Sequence, residues 1–196
     1  MASASTAKSC IARMLSGDED DCCVVHYVID RSLSNNRKII ERAMDEIERY
    51  SRIEFMPRKG QKCHLLLTKD DGCYYYSEDG CFHRISLGMG CAEFGTILHE
   101  LMHALGFEHE HNRPDRGKYL IINWRNIQTD EKDQFKKVSR RKYIWNNFPM
   151  DFDSIMMYAK KEFTKNGLPT IARKDGGPLK RANKLSAMDK EKLAKL

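Results

Sequence analysis

The stretch HELMHALGFEHEHNRPDR, residues 99–116, sets three histidines, an acid and a glycine at fixed intervals, the first of them within the otherwise apolar segment ILHELMHAL (97–105). Polar side chains on a buried helix are costly unless something satisfies them. On an α-helix, residues four apart lie one turn up on the same face, so His99 and His103 present two imidazoles side by side, with Glu100 about 100° round. Leu98, Leu101, Met102 and Leu105 cover the rest of the circumference. A straight continuation would carry His109 roughly 9 Å along the axis from His103, too far for a shared ion. Gly106 resolves this, because glycine just past a helix adopts the left-handed conformation that ends it and turns the chain. His109 then swings back toward the pair.

Three imidazoles with one open position is the layout of a catalytic zinc site, and neutral imidazole nitrogen suits zinc better than calcium or magnesium. The expected ligands are His99, His103 and His109, holding one Zn2+ ion. Glu100 is the expected general base, since zinc lowers the pKa of its water to about 7 and an adjacent carboxylate takes that proton. The chemistry is metal-assisted hydrolysis of an amide. His26, His64, His83 and His111 lack ligand spacing and read as structural or surface residues.

Outside this stretch, CVVHYVID (23–30), RIEFMPR (52–58) and KCHLLLTK (62–69) read as strands, and Cys73–Gly90 as a looped strand pair. Ile40, Ala43, Met44 and Ile47 fall at helical spacing, giving an amphipathic helix from about Ser34. A second helix runs from about Ala92 to Leu105. A further one is expected from about Trp124, and the stretch from Lys142 to Asp153 reads as loop. SAMDKEKLAKL closes the sequence as a helix, with Ser186 as N-cap and Asp189 in the capping-box position. The expected fold is α+β: a mixed twisted sheet with long helices in an N-terminal lobe (23–109), and a loop-rich C-terminal lobe with a terminal helix (110–196). Together these make one catalytic domain, 23–196, preceded by an N-terminal segment, 1–22.

The chain has 196 residues, 41% of them hydrophobic, and a net charge of +6. No apolar run reaches the roughly 18 residues of a spanning helix, and no basic stripe interleaved with aromatics marks nucleic-acid binding. Neither a membrane nor a nucleic acid is therefore expected as a partner. The seven cysteines all lie at or before Cys91 without paired zinc-knuckle spacing, which argues for disulfides and a secreted, extracellular protein. MASASTAKSC lacks an apolar h-region and reads as a trimmed mature end or an artificial start rather than a signal peptide.

His99-Glu100-x-x-His103-x-x-Gly106-x-x-His109 resembles the metzincin signature. Phe107, Glu110, Arg113, Asp115, Arg116 and the run YLIINWRNI (119–127) resemble its astacin extension, and Ser154-Ile155-Met156-Met157-Tyr158 resembles that family's Met-turn. VVHYVI, EFMPR, GCYYY and Gly90-Cys91 resemble further family landmarks. The resemblance implies a two-lobed metzincin-type fold and a secreted zinc endopeptidase, made as a zymogen, acting on internal peptide bonds of protein or peptide substrates. It implies Tyr158 as a second catalytic group that coordinates zinc at rest and swings to the scissile carbonyl. It further implies Met156 as the floor of the site, Glu110 as the holder of the mature N-terminus, and Cys73–Cys91 as a disulfide. A monomer is expected, with a propeptide or inhibitor as a further partner.

The sequence departs from the family where Met157 replaces the usual histidine. It also lacks two family cysteines, one near Arg52 and one at the C-terminus, which would have formed one bridge. Of the extra cysteines, Cys63 is expected to pair with Cys81, and Cys10 with Cys22 or Cys23. Arg173, Lys174, Lys180 and Arg181 are candidate cations beside the substrate, favouring acidic residues after the scissile bond, or else a solvated basic loop. The alternatives are another metzincin branch, which Glu110 and Tyr158 oppose, an inactive protease-fold binding protein, which the intact Glu100 opposes, and a latent form in which Cys10 or Asp18 covers zinc.

Overall fold

A computed structural model describes residues 24–78 and 81–196. Cys10, Asp18, Cys22 and Cys23, with the pairing and the latency drawn for them, lie outside the described residues. Contacts divide the chain into two compact units: one reaches to Phe107 and takes up Asn183–Leu196, and the other is Glu108–Ala182.

In the first unit, strands β1 (Val24–Ile29), β2 (Glu54–Pro57), β3 (His64–Thr68), β4 (Cys73–Glu78) and β5 (Phe82–Leu87) form one sheet in the order β2-β1-β3-β5-β4. β2, β1, β3 and β5 run parallel, and β4 returns antiparallel to β5 as the edge. Register places Tyr27 beside Leu65 and Ile29 beside Leu67, with Leu67 beside Ile85, and all five are buried. Parallel strands in such a sheet are covered and correspondingly apolar.

Helix α1 (Arg37–Glu48) buries Ile40, Ala43, Met44 and Ile47, the stripe read from the sequence. Its start is later than expected, because Arg31–Asn36 forms a 3-10 turn capped by Asp30, whose carboxylate accepts from the Ser32 N–H at 2.9 Å. Helix α2 (Phe94–Ala104) packs against α1, β4 and β5. Leu98, Leu101 and Met102 of α2 are fully buried, each contributing about 1.5–3 kcal/mol through removal from water. Gly95 admits the returning chain: a β-carbon there would come within 2.7 Å of the Asn183 Cα. Helix α3 (Ala187–Leu193) follows, with Ser186 and Asp189 exchanging hydrogen bonds in the expected capping box.

Two disulfides tie the sheet. Cys63–Cys81 joins the residues just before β3 and β5, and Cys73–Cys91 joins the start of β4 to the approach of α2. Both are pairings expected from the sequence. Near Arg52, where a family cysteine is missing, the guanidinium donates to the Leu196 carbonyl at 3.3 Å.

The second unit contains the two-stranded antiparallel sheet of β6 (Leu120–Ile122) and β7 (Ile171–Arg173) over a core that includes Ile127, Phe135, Met150 and Met157. The helix expected from Trp124 is absent; only 3-10 turns at Trp124–Asn126 and Lys132–Phe135 occur. Ile127 and Phe135 are eight residues apart with a polar run between them, so no continuous apolar stripe exists to stabilise a helix. Ile127 instead turns extended and bridges Thr164, while Asn123 and Asn126 donate their side-chain amides to the Pro169 carbonyl. Among the described residues, no helix is long and apolar enough to cross a membrane.

Candidate metal centre

α2 carries His99, Glu100 and His103 and ends in a Schellman motif. The Gly106 N–H donates to the His103 carbonyl at 2.9 Å, and the Phe107 N–H to the Met102 carbonyl at 3.0 Å. Gly106 has φ +83°, the left-handed conformation that the spacing of the histidines demanded. An L side chain there costs roughly 1–2 kcal/mol. Gly106→Ala is accordingly expected to lower unfolding stability by about that much. It should also weaken metal binding, because the strained turn relaxes by moving His109; denaturant titration and a competitive-chelator titration measure the two effects.

The reversal brings the three histidines together: their candidate ligand atoms all lie within 4.8 Å of one another. The His99 and His103 rings meet edge-on at 4.7 Å between centroids. His103 Nδ1 lies 2.8 Å from the Phe107 carbonyl, which accepts from it and leaves Nε2 for an ion. The turn that positions the third donor thus also fixes the tautomer of the second. Three imidazoles with one tautomer set by a backbone carbonyl fit a zinc-type ion. Glu100, next to His99, is only 4% exposed.

The segment after His109 is anchored to the Met-turn. The Glu110 N–H donates to the Met156 carbonyl at 3.0 Å, and the turn closes through Ser154, whose Oγ accepts from the Met156 N–H and whose carbonyl accepts from the Met157 N–H. These bonds bring Tyr158 against His109, with ring centroids 4.4 Å apart. Met157, in place of the family's histidine, is buried in the core of this unit.

The same unit holds an ionic network in which the sequence marked Arg113 and Asp115 only as part of a signature. Arg113, 1% exposed, is held by Asp115 on Nε and Nη2 (2.9 and 3.1 Å). The Phe148 and Pro149 carbonyls accept from it at 2.7 and 3.0 Å. Glu110 Oε2 lies 3.4 Å away, and Glu110 Oε1 accepts from the Tyr143 hydroxyl at 2.9 Å. Burial, then the Glu110 carboxylate, push the Tyr143 phenol well above its ordinary range, while Arg113 holds the Asp115 carboxyl below the usual carboxylate range. Tyr143 carried no motif, and only its fully buried hydroxyl identifies it.

Three cations of the basic loop are engaged by neighbours of their own unit. Arg173 forks onto Asp175 and lies over the Phe152 ring, Lys174 donates to the Gly117 carbonyl, and Arg181 pairs with Glu162. His26, His83 and His111 are buried and His64 is half-buried. Of these, His111 stacks its ring on Tyr158.

A family model described as Astacin (Peptidase family M12A) matches residues 20–196. The chain belongs to the astacin family. Zinc metalloproteinase nas-6 of Caenorhabditis elegans is 39% identical over 178 residues, covering 88% of this chain and 52% of that protein. Blastula protease 10 of Paracentrotus lividus is 37% identical over 161 residues, 78% of this chain and 27% of that one. This astacin-family chain therefore spans about half the length, or less, of these curated relatives. Among solved structures, high choriolytic enzyme 1, a hatching enzyme zinc-protease of Oryzias latipes, superposes with a TM-score of 0.78 at 30% identity, covering 87% of this chain and 86% of that one. The match bears out the α+β, metzincin-type fold expected for an astacin.

Proposed function

We propose that the chain is the catalytic domain of a secreted zinc endopeptidase that cuts internal peptide bonds of protein substrates. The observation that carries this is the convergence of His99, His103 and His109 to within 4.8 Å. The relatives named above, all called proteases or metalloproteinases, support it, and the two disulfides fit an extracellular setting.

His99, His103 and His109 would hold the ion, which when bound supplies a Lewis acid that acidifies water and polarises a carbonyl. The Glu100 carboxylate accepts the proton of the attacking water and delivers it to the departing amine nitrogen. Enclosure of Glu100 keeps that proton from bulk solvent. The Tyr158 phenol donates its O–H to the scissile carbonyl oxygen as negative charge develops there, the role of an oxyanion donor. The Phe107 carbonyl holds the His103 ring, and the Met156 carbonyl holds the backbone just after His109. Glu110, already accepting from Tyr143, offers its buried carboxylate to the mature N-terminus.

Purified protein is expected to digest casein, to lose that activity to a chelator and to recover it on addition of zinc. Digestion that continues undiminished in chelator, with no metal left on the protein, contradicts the reading.

A further inference from the structure

The Tyr158 ring is enclosed by aromatic neighbours of its own unit. His111 lies nearly parallel to it, with centroids 4.0 Å apart and planes 28° apart. Phe163 stands 5.7 Å away at 48° and Phe135 5.9 Å away at 77°. His111 is itself fully buried, with Nε2 3.0 Å from the Gln134 carbonyl and its ring 5.4 Å from Phe135. Its position is therefore set from behind.

Phe163 carries an independent signal. Its φ is +53°, and it is the one non-glycine residue with positive φ among the described residues. A bulky side chain in the left-handed region is an outlier that persists only where its surroundings impose it. Here they do: the Gln128 N–H donates to the Phe163 carbonyl at 3.0 Å, Thr164 bridges Ile127, and the Lys165 N–H donates to the Asn126 carbonyl at 2.9 Å. Glycine would meet the same backbone demand without strain. What phenylalanine adds is a ring against Tyr158 and Phe135.

We propose that His111 and Phe163 are positioning residues for Tyr158: their rings hold the phenol in the place seen here and oppose its leaving. This rests on the catalytic reading of Tyr158. Offset and tilted ring pairs of this kind are attractive beyond their buried area, so removing one lets the phenol sample positions that are unproductive in turnover.

Phe163→Gly is the cleaner variant, because it relieves the backbone and lies far from His109 in sequence, whereas His111 is only two residues away. It should fold, keep KM nearly unchanged and lower kcat on the order of tenfold. The same substitution in a Tyr158→Phe background should cost nothing further. His111→Leu should behave likewise, and His111→Phe, which keeps a flat face but not the bond to Gln134, should restore kcat. Copper-loaded protein gives a readout besides activity: a phenolate-to-copper charge-transfer band, assigned by its loss in Tyr158→Phe, should weaken or shift in Phe163→Gly. An unchanged band, or an equal loss of kcat in the Tyr158→Phe background, overturns the proposal. Full activity of Tyr158→Phe alone overturns instead the catalytic reading of Tyr158, and the band then decides whether the rings position it.

Discussion

Glu100→Ala is expected to leave a folded, metal-loaded protein whose kcat against casein falls by about 10²- to 10⁴-fold, the range for loss of a positioned acid–base group. The carboxylate sits on α2 beside His99 and is nearly sealed from solvent. It is not one of the three converging donors, so metal content should stay near wild type. With Glu100 in the proposed proton-relay role, its loss removes no substrate contact, so KM should change little while kcat and kcat/KM fall together. Steady-state kinetics with parallel metal analysis separates the outcomes. An alanine variant that still digests casein at the wild-type rate removes Glu100 from the reaction, and one that loses its metal makes Glu100 a structural partner of the site.

The largest effect on stability is expected at Arg113. Its guanidinium is buried and satisfied by two carboxylates, two backbone carbonyls and the Tyr143 hydroxyl. Arg113→Ala takes the Arg113 guanidinium away from the Glu110 carboxylate, which is 2% exposed. Removing one partner of a buried ion pair costs about 3–5 kcal/mol, which for a chain of this size lowers Tm by roughly 6–20 °C. Arg113→Lys should recover little of this. An ammonium cannot span both oxygens of Asp115 while also reaching the Phe148 and Pro149 carbonyls. Thermal unfolding of the two variants checks both statements; a lysine variant as stable as wild type shows that charge alone, not the fork, holds this segment.

What could be read from the chain and what could not divides along physical lines. α1 was visible because Ile40, Ala43, Met44 and Ile47 repeat at helical spacing, and all four are buried. α3 was visible because Ser186 and Asp189 form a local hydrogen-bond pattern that needs no tertiary partner. Gly106 disclosed the left-handed turn because three donors could not otherwise meet. The Trp124–Val138 stretch misled because its residues pair with distant partners: Ile127 bridges Thr164, and the Asn126 side-chain amide donates to the Pro169 carbonyl. Tyr143 and the stacking of His111 on Tyr158 were invisible for the same reason, since residues 33 and 47 positions apart meet only through the fold.

The proposed activity depends on three nitrogen donors converging on one ion after the turn at Gly106. Elemental analysis of the pure protein, after dialysis against metal-free buffer and brief zinc exposure, addresses this most directly. One zinc per chain is predicted, falling well below stoichiometry in His109→Ala while the variant remains folded by circular dichroism. No bound transition metal in the wild-type protein, or an undiminished full equivalent in His109→Ala, contradicts the account.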